Sequence, residues 1–208
     1  MQSFYRSHLP SLALLVLLAA GCGGVPIPNL DSPGSTIVAF GDSITYGVGA
    51  GNEPTYPELL AAALNTEVIN AGVPGDTTAD GRARLDEVLG DDPWLVILEL
   101  GGNDLLGQRP LEATEADLRA ILEGLLAARV AVLMVEIHGP FGSKYQDLFD
   151  RLEEDYRVPV LRDVLPSILL DPKLKADPIH PNAAGYRRLA AAVAKAVEPA
   201  VKKRQEIL

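Results

Sequence analysis

The chain has 208 residues and is 48% hydrophobic, so it is long and apolar enough to fold as one domain with its own core. A net charge of −10 argues against nucleic acid as a partner, because a protein that binds a phosphate backbone needs a concentrated basic face. Cys22 is the single cysteine, which excludes an intrachain disulfide, and three histidines offer few further ligands for a metal. We therefore expect no metal site.

The N-terminal segment has the pattern of an export signal. Arg6 supplies a positive charge, residues 12–20 are apolar, and small residues lead to Cys22 in the sequence LLAAGC. The apolar run is too short to span a bilayer but suits the core of a signal peptide. LLAAGC resembles a bacterial lipobox, in which the cysteine is lipidated and becomes the new N-terminus. The alternative is an ordinary secretory signal with an incidental cysteine.

From this pattern we predict a lipoprotein signal peptide at residues 1–21 and a flexible tether, rich in Gly, Pro and Ser, at residues 22–35. The mature protein is expected in the bacterial cell envelope, exported and held at a membrane surface by the lipid on Cys22.

From residue 36 onward, short apolar runs alternate with longer amphipathic ones. The apolar runs are rich in β-branched residues and predict buried strands at 36–40, 67–71, 94–100, 130–136 and 158–161. The amphipathic runs predict helices at 56–64, 78–89, 114–128, 145–156 and 182 to about 201. Such alternation predicts a single α/β domain at residues 36–208, with a parallel sheet inside a three-layer α/β/α sandwich.

Polar residues follow the predicted strands. Ser43 follows the first strand in GDS, Gly72 the second in NAGVPGDT, and Asn103 the third in GGND. Asp177 and His180 lie in DPIHPN, directly before the final helix. Because open parallel sheets bind ligands beyond the carboxyl ends of their strands, we expect these residues to meet at one rim.

These residue types are those that acyl transfer requires. Ser43 is the candidate nucleophile, His180 the base that takes its proton, and Asp177 the acceptor that orients the imidazole. The N–H groups of Ser43 and Gly72 and the amide of Asn103 are the candidate donors of an oxyanion hole. The alternative is that Ser43 only caps a helix.

Two further aspartates, Asp42 and Asp171, are candidates for a catalytic role. Asp42, directly before the serine, is interpreted as an acceptor that stabilises its loop. Asp171 is a less favoured partner for His180 than Asp177, because it lies nine residues away along the chain.

The four blocks resemble those of the SGNH, or GDSL-type, hydrolases, which are named for a serine, a glycine, an asparagine and a histidine. LELGGND, PGDT and IHPN resemble in particular the bacterial branch of arylesterases, acyl thioesterases and lysophospholipases. The resemblance implies a flavodoxin-like sheet of five parallel strands, hydrolysis of esters or thioesters, and no cofactor. The GxSxG elbow of α/β-hydrolases is absent around Ser43.

The resemblance also implies that the loop after the fourth strand helps to close over the acyl chain. Here that loop begins with His138, Gly139, Pro140 and Phe141, and an ordinary surface loop is the alternative.

Three functions remain open at this point. The favoured one is a serine hydrolase that cleaves aryl esters, short-to-medium acyl esters, lysophospholipids or thioesters through an acyl-enzyme. The second is a carbohydrate O-deacetylase, and the third is a noncatalytic ligand-binding lipoprotein. The expected partners are a small ester or lipid substrate and a membrane.

Overall fold

A parallel sheet of five strands forms the centre of the fold, in a computed structural model that describes residues 26–138 and 143–207. The strands are β1 (Thr36–Gly41), β2 (Val68–Gly72), β3 (Pro93–Glu99), β4 (Ala131–Val135) and β5 (Val160–Leu161). Their order is β2-β1-β3-β4-β5, and every neighbouring pair is parallel. This is the flavodoxin-like order, so the predicted fold class is confirmed.

Helices cover both faces of the sheet. In the described residues they are α1 (Ser43–Tyr46), α2 (Tyr56–Leu64), α3 (Thr78–Ala83), α4 (Leu85–Gly90), α5 (Gly102–Leu106), α6 (Leu111–Ala127), α7 (Ser143–Tyr156), α8 (Val164–Leu170) and α9 (Ala183–Ile207). Helices α2 and α8 pack against α9, whereas α3, α4 and α7 pack against α6, which gives the three layers. None of the helices described here combines the length and the apolarity that crossing a bilayer requires.

The strands β3 and β4 are buried along their whole length because they lie inside the sheet with helices on both faces. This explains the continuous apolar runs in their sequences. Edge strand β2 is only partly buried. The core therefore lies on both sides of the three inner strands β1, β3 and β4.

Several helices differ from the sequence prediction. The helix expected at 78–89 is divided at Arg84, whose backbone leaves the helical region with φ −108° and ψ 18°. Helix α9 continues to Ile207, past the expected end near 201, although it contains Pro199. The short helices α1, α5 and α8 were not predicted.

The described part of the predicted tether, residues 26–35, packs on the domain, and we call it the strap. Arg204 in α9 donates hydrogen bonds to the carbonyl oxygens of Leu30, Ser32 and Gly34 at 2.9, 2.8 and 2.5 Å. Its guanidinium also lies 4.8 Å from the centroid of the Trp94 ring. The strap therefore belongs to the folded domain and is not a flexible tether. Residues 1–25, including Cys22, lie outside the described residues.

Candidate active site

The carboxyl ends of β1 and β3 and the loop before α9 meet at one rim of the sheet. Ser43 is the first residue of α1, directly after β1, and Asn103 lies in the first turn of α5, after β3. His180 lies in the loop between α8 and α9. The side chains of all three line one cavity of about 290 Å³.

Ser43, His180 and Asp177 form a chain of hydrogen bonds. His180 Nε2 lies 3.0 Å from Ser43 Oγ, and His180 Nδ1 lies 2.8 Å from Asp177 Oδ2. With Asp177 accepting a proton from Nδ1, Nε2 is the nitrogen left to accept the hydroxyl proton of Ser43. The geometry is that of a nucleophile, a base and an orienting carboxylate.

Asp177 is held by its own turn. Its Oδ1 accepts hydrogen bonds from the backbone N–H groups of Ile179 and His180, both at 2.9 Å. The N–H of Ile179, followed by the imidazole of His180, keeps the pKa of Asp177 below its usual range. The carboxylate is therefore ionised at neutral pH, which the 43% exposure of its side chain also favours.

The loop that carries His180 is braced from two directions. Asn182 Oδ1 caps α9 by accepting from the N–H groups of Ala184 and Gly185, and its Nδ2 donates to Lys173 O. Gly49, with φ +92°, allows the loop after α1 to approach closely, since a Cβ there would lie 2.4 Å from Pro181 O. These contacts keep the imidazole over Ser43.

Asp42, and not Ser43, caps helix α1. Asp42 Oδ1 accepts a hydrogen bond from Ile44 N at 3.0 Å, as an N-cap side chain does. Burial raises the pKa of Asp42 to about 6, against the opposing effect of this backbone donor. The hydroxyl of Ser43 is thereby left for His180, which argues against the capping interpretation of the serine.

Asn103 is held at the rim by two acceptors. Its Nδ2 donates to Asp42 Oδ2 at 3.1 Å and to Asp76 O at 2.8 Å. The next residue, Asp104, is fully buried and accepts hydrogen bonds from Thr78 N at 2.8 Å and from Arg109 Nη1 at 2.9 Å. The start of α5 is therefore fixed, and the amide faces the serine loop.

The N–H of Gly72, a predicted donor of the oxyanion hole, is engaged within the protein. Its N–H donates to Asn70 Oδ1 at 3.0 Å, so this donor is already used. A Cβ at this position would lie 2.2 Å from Tyr46 N. Gly72 is a glycine because the end of β2 packs against the backbone of α1, which accounts for this residue without a role in an oxyanion hole.

Gly75 offers an N–H group at this rim that the sequence analysis did not consider. Val73, Pro74, Gly75 and Asp76 form a turn closed by a 3.1 Å hydrogen bond from Asp76 N to Val73 O. Gly75 has φ +91°, as the third residue of a type II turn requires, and the preceding proline suits the second position. Its N–H makes no hydrogen bond to any described residue, while Asp76 O contacts Asn103. The pair Pro74–Gly75 in NAGVPGDT is typical of a type II turn and is the sequence feature that could have indicated this N–H group.

Apolar side chains line most of the cavity. Those from α5, from α8 and from the residue before His180 include Leu105, Leu106, Leu165, Leu169, Leu170 and Ile179. Leu106 and Leu170 are 55% and 62% exposed, so the apolar lining continues to the mouth. Helix α8 is thus a wall of the site that the sequence analysis did not identify.

The predicted substrate loop is described only at its first residue. His138 lines the cavity, and its Nε2 lies 3.3 Å from Gln146 Nε2. Gly139, Pro140 and Phe141 lie outside the described residues. Glu136, His138 and Asp163 place possible ligand atoms within 4.8 Å of one another, but Arg162 and the N–H of Asp163 already bind the Glu136 carboxylate.

Residues 39–188 match the GDSL-like Lipase/Acylhydrolase family. Thioesterase 1/protease 1/lysophospholipase L1 of Escherichia coli (strain K12) is 33% identical over 208 residues, covering 95% of each chain. Esterase TesA of Pseudomonas aeruginosa is 31% identical over 187 residues, covering 83% of this chain and 92% of the relative. A crystal structure of TesA has a TM-score of 0.73 at 29% identity, over 80% of this chain and 99% of the other. The chain belongs to the GDSL-like lipase/acylhydrolase family, as its four sequence blocks predicted.

Proposed function

We propose that this carboxylic ester hydrolase works through an acyl-enzyme formed on Ser43. The observation that carries the proposal is the hydrogen-bonded chain from Ser43 Oγ through His180 to Asp177, at 3.0 and 2.8 Å, beside an apolar cavity. A serine hydroxyl needs a base to remove its proton as it attacks, and His180 is in contact with it.

The reaction follows from these contacts. Ser43 Oγ attacks the ester carbonyl carbon while His180 Nε2 takes its proton, and Asp177 stabilises the imidazolium. The oxyanion then accepts hydrogen bonds from the N–H groups of Ser43 and Gly75 and from the amide of Asn103. His180 returns the proton to the leaving alcohol, and water repeats the sequence to release the acid.

The cavity favours an apolar acyl or aryl group over a sugar. Its lining side chains are mainly leucine and isoleucine, which offer few partners for carbohydrate hydroxyls. We therefore place short-to-medium acyl esters, aryl esters and lysophospholipids before acetylated sugars as substrates. Thioesters are chemically accessible to the same site, but coenzyme A thioesters are cytoplasmic, so for an exported protein this activity is incidental.

The proposed location of the protein in the cell rests on the sequence LLAAGC. We propose that Cys22 is lipidated and holds the enzyme at a membrane surface of the cell envelope. Mass spectrometry of the mature N-terminal peptide should find acyl chains on Cys22, and Cys22→Ser should release the protein without lowering its turnover. An unmodified Cys22 in the mature protein contradicts the anchor.

An active-site organophosphonate tests the nucleophile. It should label Ser43, and Ser43→Ala should abolish both labelling and hydrolysis of p-nitrophenyl esters. Ser35→Ala is the matched control, because Ser35 is exposed and bonded to Asp92 in the loop before β3, away from the cavity. Normal turnover in Ser43→Ala, with a loss of about 1 kcal/mol in stability, would identify Ser43 as a cap and overturn the proposal. Comparing p-nitrophenyl esters of increasing acyl length with acetylated sugars then separates esterase from deacetylase.

A further inference from the structure

A second buried carboxyl group lies directly beneath the serine loop. Glu99, the last residue of β3, pairs in register with Gly41 of β1 and is fully buried. Asp42 follows Gly41 directly and is 2% exposed, so the two carboxyl groups are buried neighbours. Two adjacent carboxylates that are both buried cannot both be ionised at low cost.

No cation neutralises this pair among the described residues. The titratable groups that face it from the surrounding elements are Asp76, His180, Tyr56 and Tyr186. Arg84 reaches the carbonyl of Gly41, but its guanidinium is paired with Asp76 at 2.6 Å. The pair must therefore reduce its charge by keeping a proton.

The contacts indicate which carboxyl group holds that proton. Asp42 accepts hydrogen bonds from Ile44 N and Asn103 Nδ2, which favour its charged form. Glu99 Oε2 accepts from the hydroxyl of Thr45 at 2.9 Å, whereas Glu99 Oε1 accepts no hydrogen bond from the described residues. Burial, and then the Asp42 carboxylate, raise the pKa of Glu99 well above its usual range. A hydroxyl at Oε1 can donate to Asp42, which gives this atom the partner it lacks.

The backbone leaves room for this arrangement. A Cβ at Gly41 would lie 2.1 Å from Thr45 Oγ1 and 2.7 Å from Glu99 Oε2. Gly41, the glycine of GDS, therefore allows Thr45 and Glu99 to meet beneath the end of the strand. The hydroxyl of Thr45 thereby fixes Oε2 of the Glu99 side chain.

We propose that Glu99 is a positioning residue, a carboxylic acid that stays protonated and donates its O–H to Asp42. Asp42 is then held as the common acceptor for the cap of α1, which carries Ser43, and for the amide of Asn103. The proposal rests on the proposed function, since it assigns Glu99 a role through groups that act in ester hydrolysis.

Two substitutions separate a proton donor from a packing residue. Glu99→Gln keeps the shape, one donor and one acceptor, so its kcat should stay close to that of the wild type. Glu99→Leu keeps the bulk without a donor, so kcat should fall about 10- to 100-fold with little change in KM, as is typical when a supporting hydrogen bond is lost. Steady-state kinetics with a p-nitrophenyl ester measures both.

Thermal unfolding tests whether Glu99 is protonated in the folded protein, and it does not depend on enzyme activity. Above the ordinary carboxyl pKa of about 4.3, the unfolded chain releases the Glu99 proton while the folded protein retains it, so wild-type stability falls as pH rises. Glu99→Gln has no such proton. The Tm of Glu99→Gln minus that of the wild type should therefore increase from about pH 5 to about pH 8. The infrared band of a protonated carboxyl group should also be present in the wild type at neutral pH and absent in Glu99→Gln.

Glu136→Gln is the matched control. Glu136 follows β4, the strand beside β3, and is 2% exposed, but it is paired with Arg162 and with the N–H of Asp163. Its replacement should lower Tm at about pH 8, where Glu99→Gln should raise it. If Glu99→Gln loses as much kcat as Glu99→Leu, or if its Tm difference from wild type does not change with pH, Glu99 is ionised and the proposal is wrong. A wild-type protein that hydrolyses no ester would overturn the proposed function, while the Tm and infrared results would still decide the state of Glu99.

Discussion

The amide of Asn103 lies 3.1 Å from the carboxylate of Asp42, and its other hydrogen points to Asp76 O at 2.8 Å. Both amide hydrogens are thus used in the resting site. An oxyanion must take one of them, and the longer bond to Asp42 is the one that gives way. Since that exchange happens only as charge develops, Asn103→Ala should lower kcat by about 10² to 10³ with little change in KM.

Asn70→Ala is the control for this prediction. Asn70 Oδ1 binds the N–H of Gly72, so its removal frees that donor without touching Asn103. Because the proposed oxyanion donors are Ser43, Gly75 and Asn103, kcat of Asn70→Ala should remain near the wild-type value. Equal losses in the two variants would show that the amide of Asn103 has no special place in the transition state.

Ser43 and His180 should behave as one unit. Either alanine substitution should remove most of the rate, on the order of 10⁴ to 10⁶, and the double variant should lose little more. The physical reason is that the imidazole has no proton to accept once the hydroxyl is gone. Single-turnover assays on the three variants measure this, and additive losses would contradict a shared step.

Asp177→Asn should cost up to about 10⁴ in kcat, because an amide can favour the wrong tautomer of His180. Asp171→Asn should leave kcat unchanged, since Asp171 Oδ1 accepts from Lys173 N and makes no contact with the imidazole. The lowered pKa of Asp177 means that it stays charged to a lower pH than an ordinary carboxyl group. Its small contribution to stability is therefore present above the unfolded pKa and is lost as pH falls through the lowered one. A large effect of Asp171→Asn would reassign the orienting carboxylate.

Leu169→Trp should shorten the preferred acyl chain. Leu169 lies in α8 on the wall of the cavity, and an indole there fills space that a longer acyl group needs. Each methylene that no longer fits costs about 0.8 kcal/mol, so an octanoyl ester should lose roughly tenfold or more in kcat/KM relative to an acetyl ester. A matched series of p-nitrophenyl esters measures the ratio, and an unchanged ratio would place the acyl group elsewhere.

Arg204→Met should destabilise the domain without affecting kcat. Three carbonyl groups of the strap lose their charged donor, and a loss of about 2 to 4 kcal/mol in the free energy of unfolding is expected. Urea denaturation measures it. Lys203→Met is the neighbouring control, because Lys203 is exposed and makes none of these bonds. Equal stability of the two variants would show that the strap is held by other contacts.

The strands and the long helices were predictable because their sequences have the spacing of apolar residues that a buried strand or a half-buried helix requires. Helix α2 begins and ends where expected, since Glu58 accepts from Thr55 N and Pro57 suits the first turn. Helices α5 and α8 are too short to show a period, so they were missed. Their positions depend on packing at the rim.

Other features depend on contacts between distant residues. The strap has the composition of a linker, and the residues that bind it lie far along the chain, Arg204 about 170 positions later. Which of Gly72 and Gly75 can donate to an oxyanion depends on the direction of each N–H group. The sequence shows two glycines in one block but not these directions. The helix break at Arg84 accompanies bonds to Asp76 and Gly41, neither of which is a helix neighbour.

Under the proposed lipidation of Cys22, the strap would also determine which way the enzyme faces relative to the membrane. It runs past the amino ends of the strands, since Asn29 binds Val130 O before β4 and Ser35 N binds Asp92 O before β3. The mouth of the cavity opens at the opposite ends, about 20 Å away along β1. If Cys22 carries the proposed lipid, the stretch that joins it to Pro26 spans at most about 14 Å, which would place the bilayer under the base of the domain. The mouth would then face the aqueous side and receive esters that arrive by diffusion, with the lipids of its own bilayer behind it.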